Sequence, residues 1–441
     1  MADGAHPADI SERPGPEIAY ARWIAACMSA GWRQEPVAEQ VATTDGLGRV
    51  TSGPIRARWP APRFDCAAMD GIAIRAEVAP SPVSSELVDR WPLAVASFTP
   101  VDTGEPMPPG TDTVVERERV QYGPDGSAWI TGPAPRGLNV RTQGEDFLAG
   151  QTLVPAGHRL RPIDLAAAAA GGHAALDVIR RPVVAIIPTG DEVRPAGSAL
   201  GPADITDSNS IMLTAQTLAA GGLSLTFDVQ PDDPHAIVAQ VRQATATADL
   251  VLVIAGSSAG QRDHSARVLA EVGGLTIRGV AVRPGHPVLL GHASTRLPGD
   301  APRLAAVPVI GVPGYPLAAA VIFELFAAPL LAALQGVQQP GRPRRRVQLA
   351  CDWTSSPDVE DWVPVVLGPS ADPDLAGDAE ATVATPSGHG AGAISRLLYA
   401  DAWWQIPIGQ AKFTRGDYID VQLIAGVPAS PGRGSHAGLR S

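Results

Sequence analysis

Three segments of the sequence concentrate small residues, and two of them also carry carboxylates, a combination suited to binding phosphate. These segments are PTGDEV at 188–193, AGSSAGQRDH at 255–264 and GVPGYP at 311–316. Glycine and serine let backbone N–H groups converge on an oxyanion, whereas carboxylates repel phosphate unless a cation lies between them. Glu192, Asp232 and Asp263 therefore indicate Mg²⁺, a hard ion that takes oxygen ligands.

The three segments provide candidate binding residues, but a simpler interpretation stays open. In that interpretation the glycines only form tight turns and the acidic residues only cap helices. The repetition of the pattern in three loops favours a ligand site. The candidate binding residues in these loops are Thr189, Gly190, Asp191, Gly256, Ser257, Ser258, Gly260, Pro313, Gly314 and Pro316.

Apolar runs typical of buried strands precede all three loops. They are PVVAIIP at 182–188, DLVLVIA at 249–255 and VPVIGV at 307–312, and helical patterns lie between the first two at 208–222 and 234–248. Strands that alternate with helices indicate a parallel sheet. Such sheets bind ligands at the carboxyl ends of their strands, so we expect the three loops to meet at one edge.

Several common catalytic patterns are absent from the sequence. It contains no GxxxxGK[ST] loop, no GxGxxG after a first strand, no HExxH and no GxSxG. These absences argue against a P-loop nucleoside triphosphatase, a dinucleotide-binding site, a zinc protease and an α/β-hydrolase. The nine histidines are scattered, which argues against a histidine-rich metal site.

Composition and charge narrow the classes of partner. The chain has 441 residues, of which 45% are hydrophobic, and its formal net charge is −11. An acidic surface argues against nucleic-acid and membrane partners, but not against an anionic small ligand. Three cysteines without a CxxC pair, and a start without a signal peptide, predict a cytoplasmic protein. The longest apolar run, 316–334, contains Glu324 and Pro329 and predicts a buried helix.

Pattern changes along the chain predict several domains of α/β and β class. The residue pattern predicts helical structure from about Glu17 to Val50. In the next segment, short β-like runs are separated by proline and glycine. Alternating strands return after a basic linker at 340–346 and predict a small β-barrel. The predicted boundaries are a helical part at 15–50 and 147–178, a β insert at 51–146, an α/β domain at 179–338, a barrel at 345–424, and disorder at 1–14 and 425–441.

Taken in order, the motifs of this chain resemble one enzyme family. They include MDG at 69–71, GTDTVV at 110–115, GED at 144–146, DSN at 207–209, PDDP at 231–234, RPGHP at 283–287 and GAGAISRLLYADAW at 390–403, besides the three loops. The chain resembles the MoeA-type molybdopterin molybdenumtransferases, which are related to the E domains of gephyrin and of plant Cnx proteins. The resemblance spans roughly residues 17–424.

This resemblance implies an architecture and a reaction. The architecture is a dimer-forming helical part, a β lid inserted into it, a MogA-like molybdopterin-binding α/β domain with a mostly parallel sheet, and a C-terminal β-barrel. It implies a homodimer in which the lid of one subunit lies near the α/β site of the other. The reaction takes adenylylated molybdopterin and molybdate, with Mg²⁺ or a similar divalent ion, and releases AMP. The molybdopterin adenylyltransferase is an implied partner.

The resemblance also assigns roles to individual residues. Asp70 and Asp146 match the lid aspartates of the MDG and GED turns. Glu192, Asp232 and Asp263 match carboxylates that would hold the divalent ion and orient a water for attack on the adenylate phosphorus. Pro313 and Pro316 match a loop that shapes the pterin-side pocket. The five carboxylates are the predicted catalytic residues.

The chain departs from the family pattern around its anion-binding positions. The usual Lys-Pro-Gly-Lys-Pro is Arg283-Pro-Gly-His286-Pro here; Arg283 would still neutralise an anion, whereas His286 is shorter and mostly neutral near pH 7. A pair of family glycines is Ser257-Ser258, and the asparagine of the Pro-Gly-Asn-Pro loop is Tyr315. We predict that Arg283 and His286 bind the ligand. These departures keep open the alternative of a non-catalytic molybdopterin-binding carrier or regulatory paralogue.

Overall fold

The structure, a computed structural model, forms two compact units. It describes residues 13–79, 90–255, 259–297, 303–339, 341–369, 382–388 and 390–424. The inserted unit runs from Ala38 to Ile179, and the main unit combines the residues up to Val37 with those from Arg180. Of the segments predicted to be disordered, 1–12 and 425–441 lie outside the described residues. Pro14 is described, and its carbonyl accepts a hydrogen bond of 2.9 Å from the Ala281 amide.

The first helix, α1 (Pro16–Ser29), belongs to the main unit and packs on the rest of it through one apolar stripe. Proline in its first turn suits a helix start because the missing N–H would have no partner there. Ala19, Trp23 and Cys27 recur every four residues and are fully buried, and Trp23 Nε1 donates to the Gly291 carbonyl over 2.7 Å.

The helical prediction for residues 17–50 is wrong beyond the end of α1. Gly31 adopts a φ of 98°, a conformation that glycine reaches without strain, and it ends the helix. The chain then forms a strand at Ala38–Ala42 that pairs with Ala175–Ile179. This pairing partner lies far along the sequence, so a local helical pattern could not reveal it.

The inserted unit consists of short strands and one helix, and short strands fill the segment 51–146 for which the sequence predicts a β insert. Two three-stranded sheets, β6-β4-β7 and β5-β9-β8, enclose a core that includes Ile72, Ile74 and Val115. Its elements are β1 (Ala38–Ala42), β2 (Ile55–Arg56), β3 (Cys66–Ala67), β4 (Gly71–Ile74), β5 (Trp91–Leu93), β6 (Phe98–Val101), β7 (Thr113–Glu116), β8 (Val120–Tyr122), β9 (Ala128–Ile130), β10 (Val140–Arg141), β11 (Thr152–Val154), α2 (Pro162–Ala170) and β12 (Ala175–Ile179).

A buried carboxylate fixes the start of α2. Asp164 is 6% exposed and accepts hydrogen bonds from the Arg161 amide at 2.7 Å and from the Arg161 Nε at 3.0 Å. His158 Nε2 lies 2.8 Å from the same carboxylate. The Arg161 guanidinium is the main cause that holds the pKa of Asp164 well below its usual range.

We expect Asp164→Asn to destabilise the inserted unit by about 2 kcal/mol at pH 7, because a helix cap and a charge-assisted hydrogen bond are lost together. Since folding lowers the pKa of Asp164, its contribution is present above about pH 4 and disappears as the pH falls below that value. Urea unfolding of the wild type and the variant at several pH values measures this difference. Asp177→Asn, at an exposed strand position of the same unit, serves as the control. An equal loss in both variants at pH 7 would contradict the assignment.

The main unit is built around a six-stranded sheet with the order β16-β13-β17-β21-β20-β18. β13, β16, β17 and β21 run parallel, whereas β18 and β20 run antiparallel to their neighbours, so the predicted mostly parallel sheet is confirmed. Its elements are β13 (Val183–Pro188), β14 (Val193–Arg194), β15 (Ile205–Thr206), α3 (Asn209–Ala219), β16 (Leu223–Thr226), α4 (Pro234–Ala244), β17 (Leu250–Ala255), α5 (Ala259–Val272), β18 (Gly273–Arg278), β19 (Val282–Arg283), β20 (Leu289–Leu297), β21 (Arg303–Pro313), α6 (Pro316–Ile322), a π-helical turn (Phe323–Ala327) and α7 (Ala328–Leu334).

Both faces of this sheet are covered, which explains why its strands are apolar throughout. Ile186 and Leu252 point into a core shared with α1 and α6. Ile187 and Val253, one position along each strand, point into a core shared with α4 and α5. A strand buried on both faces has no reason to alternate polar and apolar residues.

The apolar run at 316–334 forms one long helical segment in the interior of the main unit. Its length and a mean hydropathy of 2.3 are sufficient for a membrane span, but 78% of its most apolar window is buried inside the protein. The acidic Glu324 is paired with Arg342 at 2.6 Å. The predicted buried helix is therefore confirmed.

The last part of the chain closes into the predicted barrel. Strands β24, β25, β22, β28 and β26 follow one another around it, and β26 pairs back onto β24. β19, from the segment between β18 and β20, adds a parallel partner to β24. The barrel elements are β22 (Arg344–Leu349), β23 (Trp353–Thr354), β24 (Glu360–Pro369), β25 (Thr382–Pro386), α8 (Ile394–Leu398), β26 (Ala402–Ile406), β27 (Lys412–Phe413) and β28 (Tyr418–Leu423).

Candidate functional site

The three strands that precede the predicted loops end together at the carboxyl edge of the main sheet. In the register of neighbouring strands, Pro188 of β13 lies beside Ile254 of β17. The next residue of β17, Ala255, lies beside Pro313 of β21. The three parallel strands therefore end side by side, and each continues into one of the loops with small residues.

The loop after β13 is held against the segment that carries Asp232. Thr189 is buried, and its backbone N–H and its hydroxyl donate to the Ile254 carbonyl at 3.0 and 2.9 Å. The Gly190 amide donates to the Gln230 carbonyl at 3.0 Å. The Asp232 amide donates to Asp191 Oδ1 at 3.2 Å. The two acidic segments that the sequence predicts for a metal site thus lie next to each other.

Gly190 cannot be replaced without strain because of the way Glu192 folds back over it. Its φ of 139° favours glycine. A Cβ atom at this position would lie 2.7 Å from Val193 Cγ2 and 3.1 Å from Glu192 Oε2. The absence of a side chain at Gly190 therefore leaves room for the Glu192 carboxylate beside the loop.

The carboxylates of this edge have the right chemistry for Mg²⁺. Asp191 is exposed, whereas Glu192 and Asp232 are half-buried, and all three present oxygen ligands of the kind that Mg²⁺ prefers. Within the part of the chain whose side chains are described, no three His, Cys, Asp or Glu residues stand close enough to form a metal site. The predicted third ligand, Asp263, lies on α5, but its side chain is outside that description.

Part of the predicted phosphate loop also lies outside the described residues. This concerns Gly256, Ser257 and Ser258, which follow β17. Gly260 lies in the first turn of α5, which starts at Ala259. The predicted binding roles of these four residues stay predictions.

A buried asparagine joins α3 to the loop after β21. Asn209, 8% exposed, donates through Nδ2 to the Gly314 carbonyl at 2.7 Å. Its Oδ1 atom is buried and has no hydrogen-bond partner among the residues that the structure describes. Asp207 Oδ1 accepts from the Ser210 amide at 3.0 Å and caps the same helix. The DSN motif thus positions the Pro-Gly-Tyr-Pro loop.

We expect Asn209→Ala to destabilise the main unit by about 1–3 kcal/mol and to weaken ligand binding, because the Gly314 carbonyl loses its donor. Thermal unfolding and titration with a pterin measure the two effects. Ser210→Ala is the matched control, since Ser210 is equally buried but its hydroxyl has no partner among the described residues. A control that loses as much stability as Asn209→Ala would show that the Gly314 contact does not matter.

A cavity of about 440 Å³ opens at the ends of β17 and β21, between the sheet edge and the barrel. One wall consists of Pro313 and Tyr315 after β21, and the RPGHP segment forms another. The barrel contributes Trp362 to the lining. Such a volume and such apolar walls are typical of small-molecule sites.

The RPGHP segment is tied to the barrel by an ion pair that is buried on one side. Arg283 Nε donates to Asp361 Oδ1 at 3.2 Å, and Arg283 Nη2 donates to Asp361 Oδ2. The Ser355 hydroxyl donates to the same carboxylate at 2.9 Å. Asp361 is 2% exposed, whereas the Arg283 side chain is 40% exposed. Arg283 and His286 both line the cavity, where the sequence predicts a ligand.

The tip of this segment and the loop after β21 are both held in place. Gly285 has a φ of 118°, and a Cβ there would lie 2.9 Å from Ile322 Cδ1. The Leu317 amide donates to the Ala391 carbonyl of the barrel at 3.2 Å. Pro313 is buried, Gly314 and Pro316 are half-buried, and Tyr315 is 48% exposed. A backbone hydrogen bond therefore links the start of α6, next to the cavity, to the barrel.

Asp70, one of the two predicted lid aspartates, lies in an ordered turn of the inserted unit. It accepts hydrogen bonds from the Thr103 amide at 2.8 Å and the Thr103 hydroxyl at 2.7 Å. These hydrogen bonds are the main cause that lowers the pKa of Asp70 below its usual value. Asp70 is exposed, so its carboxylate is accessible to a ligand.

Asp146, the second predicted lid aspartate, lies away from Asp70. Strands β3 and β10 are antiparallel, with Ala67 opposite Val140. Asp70 follows β3, and Asp146 follows β10 and donates its amide to the Ala61 carbonyl at 3.0 Å. The two aspartates thus lie beyond opposite ends of this short ladder, and the inserted unit does not combine them into one acidic pair.

Two residues that shape the site were not predicted as site residues. Asn209 belongs to a motif noted in the sequence, but its contact partner is 105 residues away. Asp361 has its partner 78 residues away, and nothing in the spacing of its neighbours indicates a site. A polar residue inside an apolar strand, as in EDWVPVV at 360–366, is the one signal that could have drawn attention to Asp361.

Comparison with known proteins gives consistent matches along the chain. Models of three families match: the MoeA N-terminal region (domain I and II) over residues 18–172, a probable molybdopterin binding domain over 185–333, and the MoeA C-terminal region (domain IV) over 346–424. Together they cover the inserted unit, the main sheet and the barrel.

Individual relatives give the same result. A molybdopterin molybdenumtransferase of Nostoc sp. is 33% identical over 310 residues, covering 67% of this chain and 69% of the relative. Molybdopterin molybdenumtransferase 2 of Mycobacterium tuberculosis is 34% identical over 334 residues, covering 71% and 80%. The crystal structure of the molybdopterin biosynthesis MoeA protein from Pyrococcus horikoshii superimposes with a TM-score of 0.71 at 27% identity, over 94% of this chain and 100% of that one.

Proposed function

Because the chain belongs to the molybdopterin molybdenumtransferase family, whose members are enzymes of molybdenum cofactor biosynthesis, we propose that it inserts molybdate into adenylylated molybdopterin in a Mg²⁺-dependent reaction that releases AMP. One observation carries the proposal. Strands β13, β17 and β21, which precede the acidic loop and the two small-residue loops, end side by side at one edge of the sheet, and a cavity opens at the ends of β17 and β21.

The residues at the carboxyl edge of the main sheet would have different roles in the reaction. Glu192, Asp232 and Asp263 would hold Mg²⁺, which supplies positive charge against the phosphate when it is bound. The loop at 256–260 would present backbone N–H groups and serine hydroxyls to the nucleotide. Thr189 and Gly190 would shape the neighbouring loop, since their own N–H groups donate to the Ile254 and Gln230 carbonyls. A carboxylate of this set orients a water for in-line attack on the adenylate phosphorus, and AMP leaves.

The other partners of the reaction are proposed on the family resemblance. Asp70 and Asp146 act from the lid of one subunit on the α/β site of the partner subunit in a homodimer. A molybdopterin adenylyltransferase supplies the nucleotide, and the reaction takes place in the cytoplasm. Molybdate is the second substrate. We also propose that the chain divides into a helical part, a β lid, an α/β domain and a barrel at the boundaries predicted from the sequence.

A second candidate function is a non-catalytic molybdopterin carrier. One observation favours it: the charge of Arg283, at a position where the family has an anion-binding lysine, is already engaged by Asp361. His286 and Tyr315 weaken the same wall for binding an anion. A carrier would keep the pterin cavity and lose the chemical step.

One assay separates the two functions. The purified chain is mixed with adenylylated molybdopterin, Mg²⁺ and molybdate, and AMP and metal-containing cofactor are measured over time. Release of AMP that requires both Mg²⁺ and molybdate supports the transferase. Binding of the pterin nucleotide without AMP release supports the carrier, and absence of binding contradicts both.

A further inference from the structure

We propose that a second cavity of the main unit binds an α-amino acid with an apolar side chain. The cavity has a volume of about 380 Å³. The described residues that line it all belong to the main unit. None of them is part of the proposed transferase site, so the proposal goes beyond that function and does not depend on it.

The second cavity lies at the amino ends of the parallel strands, opposite the candidate functional site. Pro182 directly precedes β13, Asp249 directly precedes β17, and both residues line the cavity. Each of these strands is six residues long. Because a strand rises about 3.3 Å per residue, the cavity is about 20 Å from the carboxyl edge. A small ligand bound here therefore does not reach the residues at that edge.

The two segments that connect the main unit to the inserted unit both line this cavity. The chain leaves the main unit after Val37 and returns to it at Arg180. The Arg180 amide donates to the Val37 carbonyl at 2.6 Å, so the two segments lie next to each other here. A Cβ at Gly336 would lie 3.1 Å from Pro36 Cγ, so Pro36 packs closely on the end of α7. These contacts hold this wall in place without a ligand.

One ion pair in the lining is already complete. Arg180 Nη2 donates to Asp249 Oδ1 at 2.7 Å. The Val183 amide donates to Asp249 Oδ2 at 2.7 Å, and the Asp249 amide donates to the Val183 carbonyl at 2.8 Å. Both carboxylate oxygens of Asp249 are therefore engaged, and Arg180 balances its charge. This pair positions the start of β13 and leaves the recognition of a charged ligand to other residues.

Two further charged side chains in the lining have no ion-pair partner among the described residues. They are Arg33 and Glu35, which are both exposed and stand two positions apart in the segment after α1. Arg33 Nη1 donates to the Trp32 carbonyl at 3.3 Å, which is a neutral acceptor. The cavity thus offers one positive and one negative charge. A ligand with a carboxylate and an ammonium group can pair with both, whereas a ligand with only one of these groups meets a like charge.

The remaining walls are largely apolar. Trp32, Val307 and Leu334 line the cavity and are 6%, 7% and 9% exposed. Val37 also lines it and is 53% exposed, so an apolar ligand side chain that covers it would remove apolar surface from water. A volume of about 380 Å³ is within the range of about 300–1,000 Å³ that is typical of small-molecule sites. Together with the two charges, these walls match an α-amino acid with an apolar side chain.

Titration calorimetry on the full chain tests the class of ligand. L-leucine and L-phenylalanine are titrated first, and the one that binds more tightly is compared with its analogues that lack the amino group or the carboxylate. For phenylalanine these analogues are 3-phenylpropanoate and 2-phenylethylamine. We expect the amino acid to bind at least roughly fivefold more tightly than either analogue, because each analogue loses one ion pair.

Two variants test the two charges separately. Arg33→Gln is expected to weaken binding of the amino acid roughly fivefold and to leave binding of the amine analogue unchanged or stronger. Glu35→Gln is expected to weaken binding of the amino acid to a similar extent and to strengthen binding of the carboxylate analogue. Arg22→Gln and Glu17→Gln are the controls, at exposed positions of α1 outside the cavity lining, and should change no affinity.

Hydrogen exchange locates the bound ligand. Because the Arg180 amide donates to the Val37 carbonyl in the cavity wall, a saturating amino acid is expected to slow exchange at this amide. Absence of binding by both amino acids, or equal affinities for the amino acid and its two analogues, overturns the class of ligand. Unchanged affinity in both Arg33→Gln and Glu35→Gln, or unchanged exchange at Arg180 with the amino acid bound, overturns the site.

Discussion

Replacing Asp263 with asparagine is expected to lower AMP release by about 100-fold or more while pterin binding stays within about threefold of the wild type. Asp263 lies on α5, directly after the loop that follows β17, and so at the edge where the acidic segments meet. Asparagine keeps the size of the side chain but removes the negative charge that Mg²⁺ requires.

The measurement combines turnover with binding, because a misfolded variant would lose both. AMP release is followed over a range of Mg²⁺ concentrations, and pterin binding is titrated without the metal. Asp228→Asn is the control, since Asp228 is an exposed acid of the same unit near the same edge. Unchanged turnover in Asp263→Asn would remove this residue from the proposed metal site.

Replacing Gly71 with alanine is expected to destabilise the inserted unit by about 4 kcal/mol or more, among the largest effects of a single substitution. Gly71 is the first residue of β4, the central strand of β6-β4-β7, and it pairs with Val101 and Glu116. An ideal Cβ there would lie 1.9 Å from the Val115 carbonyl oxygen and 2.8 Å from its carbon. These are backbone atoms of the neighbouring strand, so β4 and β7 must separate to make room.

The stability loss should appear as a lower Tm for the unfolding step of the inserted unit, measured on the full chain by calorimetry. Because Gly71 follows Asp70 directly, we also expect the hydrogen bonds between Asp70 and Thr103 to be lost. Gly53→Ala is the control, since no atom lies within 4 Å of the added Cβ. A Tm for Gly71→Ala equal to that of the control would refute the steric argument.

The MDG motif therefore combines two requirements in adjacent residues. Its glycine is needed by the sheet, because only a residue without Cβ lets β7 approach. Its aspartate is held by Thr103, from the turn after β6, and remains exposed. A motif of this kind is not evidence of catalysis by itself. The Gly71→Ala variant tests the structural role of the motif, and the Asp263→Asn variant tests the chemistry of the proposed metal site.

Local patterns in the sequence determined much of this protein. The apolar runs of β13 and β17 and the loops after them were predicted because a strand buried on both faces is apolar throughout, whatever its neighbours are. The buried helix at 316–334 was predicted from a long apolar run, and the barrel strands were predicted from the alternation of polar and apolar residues that a half-buried strand shows. The order of the motifs predicted the family, since each motif is a short stretch whose residues act together.

Only the tertiary structure decided which distant residues meet. Residues 38–42 form a strand because they pair with β12 through backbone hydrogen bonds. The residue pattern of 17–50 by itself predicted a helix. Asn209 meets Gly314 across 105 residues, and Asp361 meets Arg283 across 78. Hydrophobic periodicity depends on neighbours along the chain, whereas such a contact depends on how whole elements pack. The charge of the cavity could therefore not be predicted from the sequence, because the carboxylate that neutralises the charge of Arg283 belongs to the barrel.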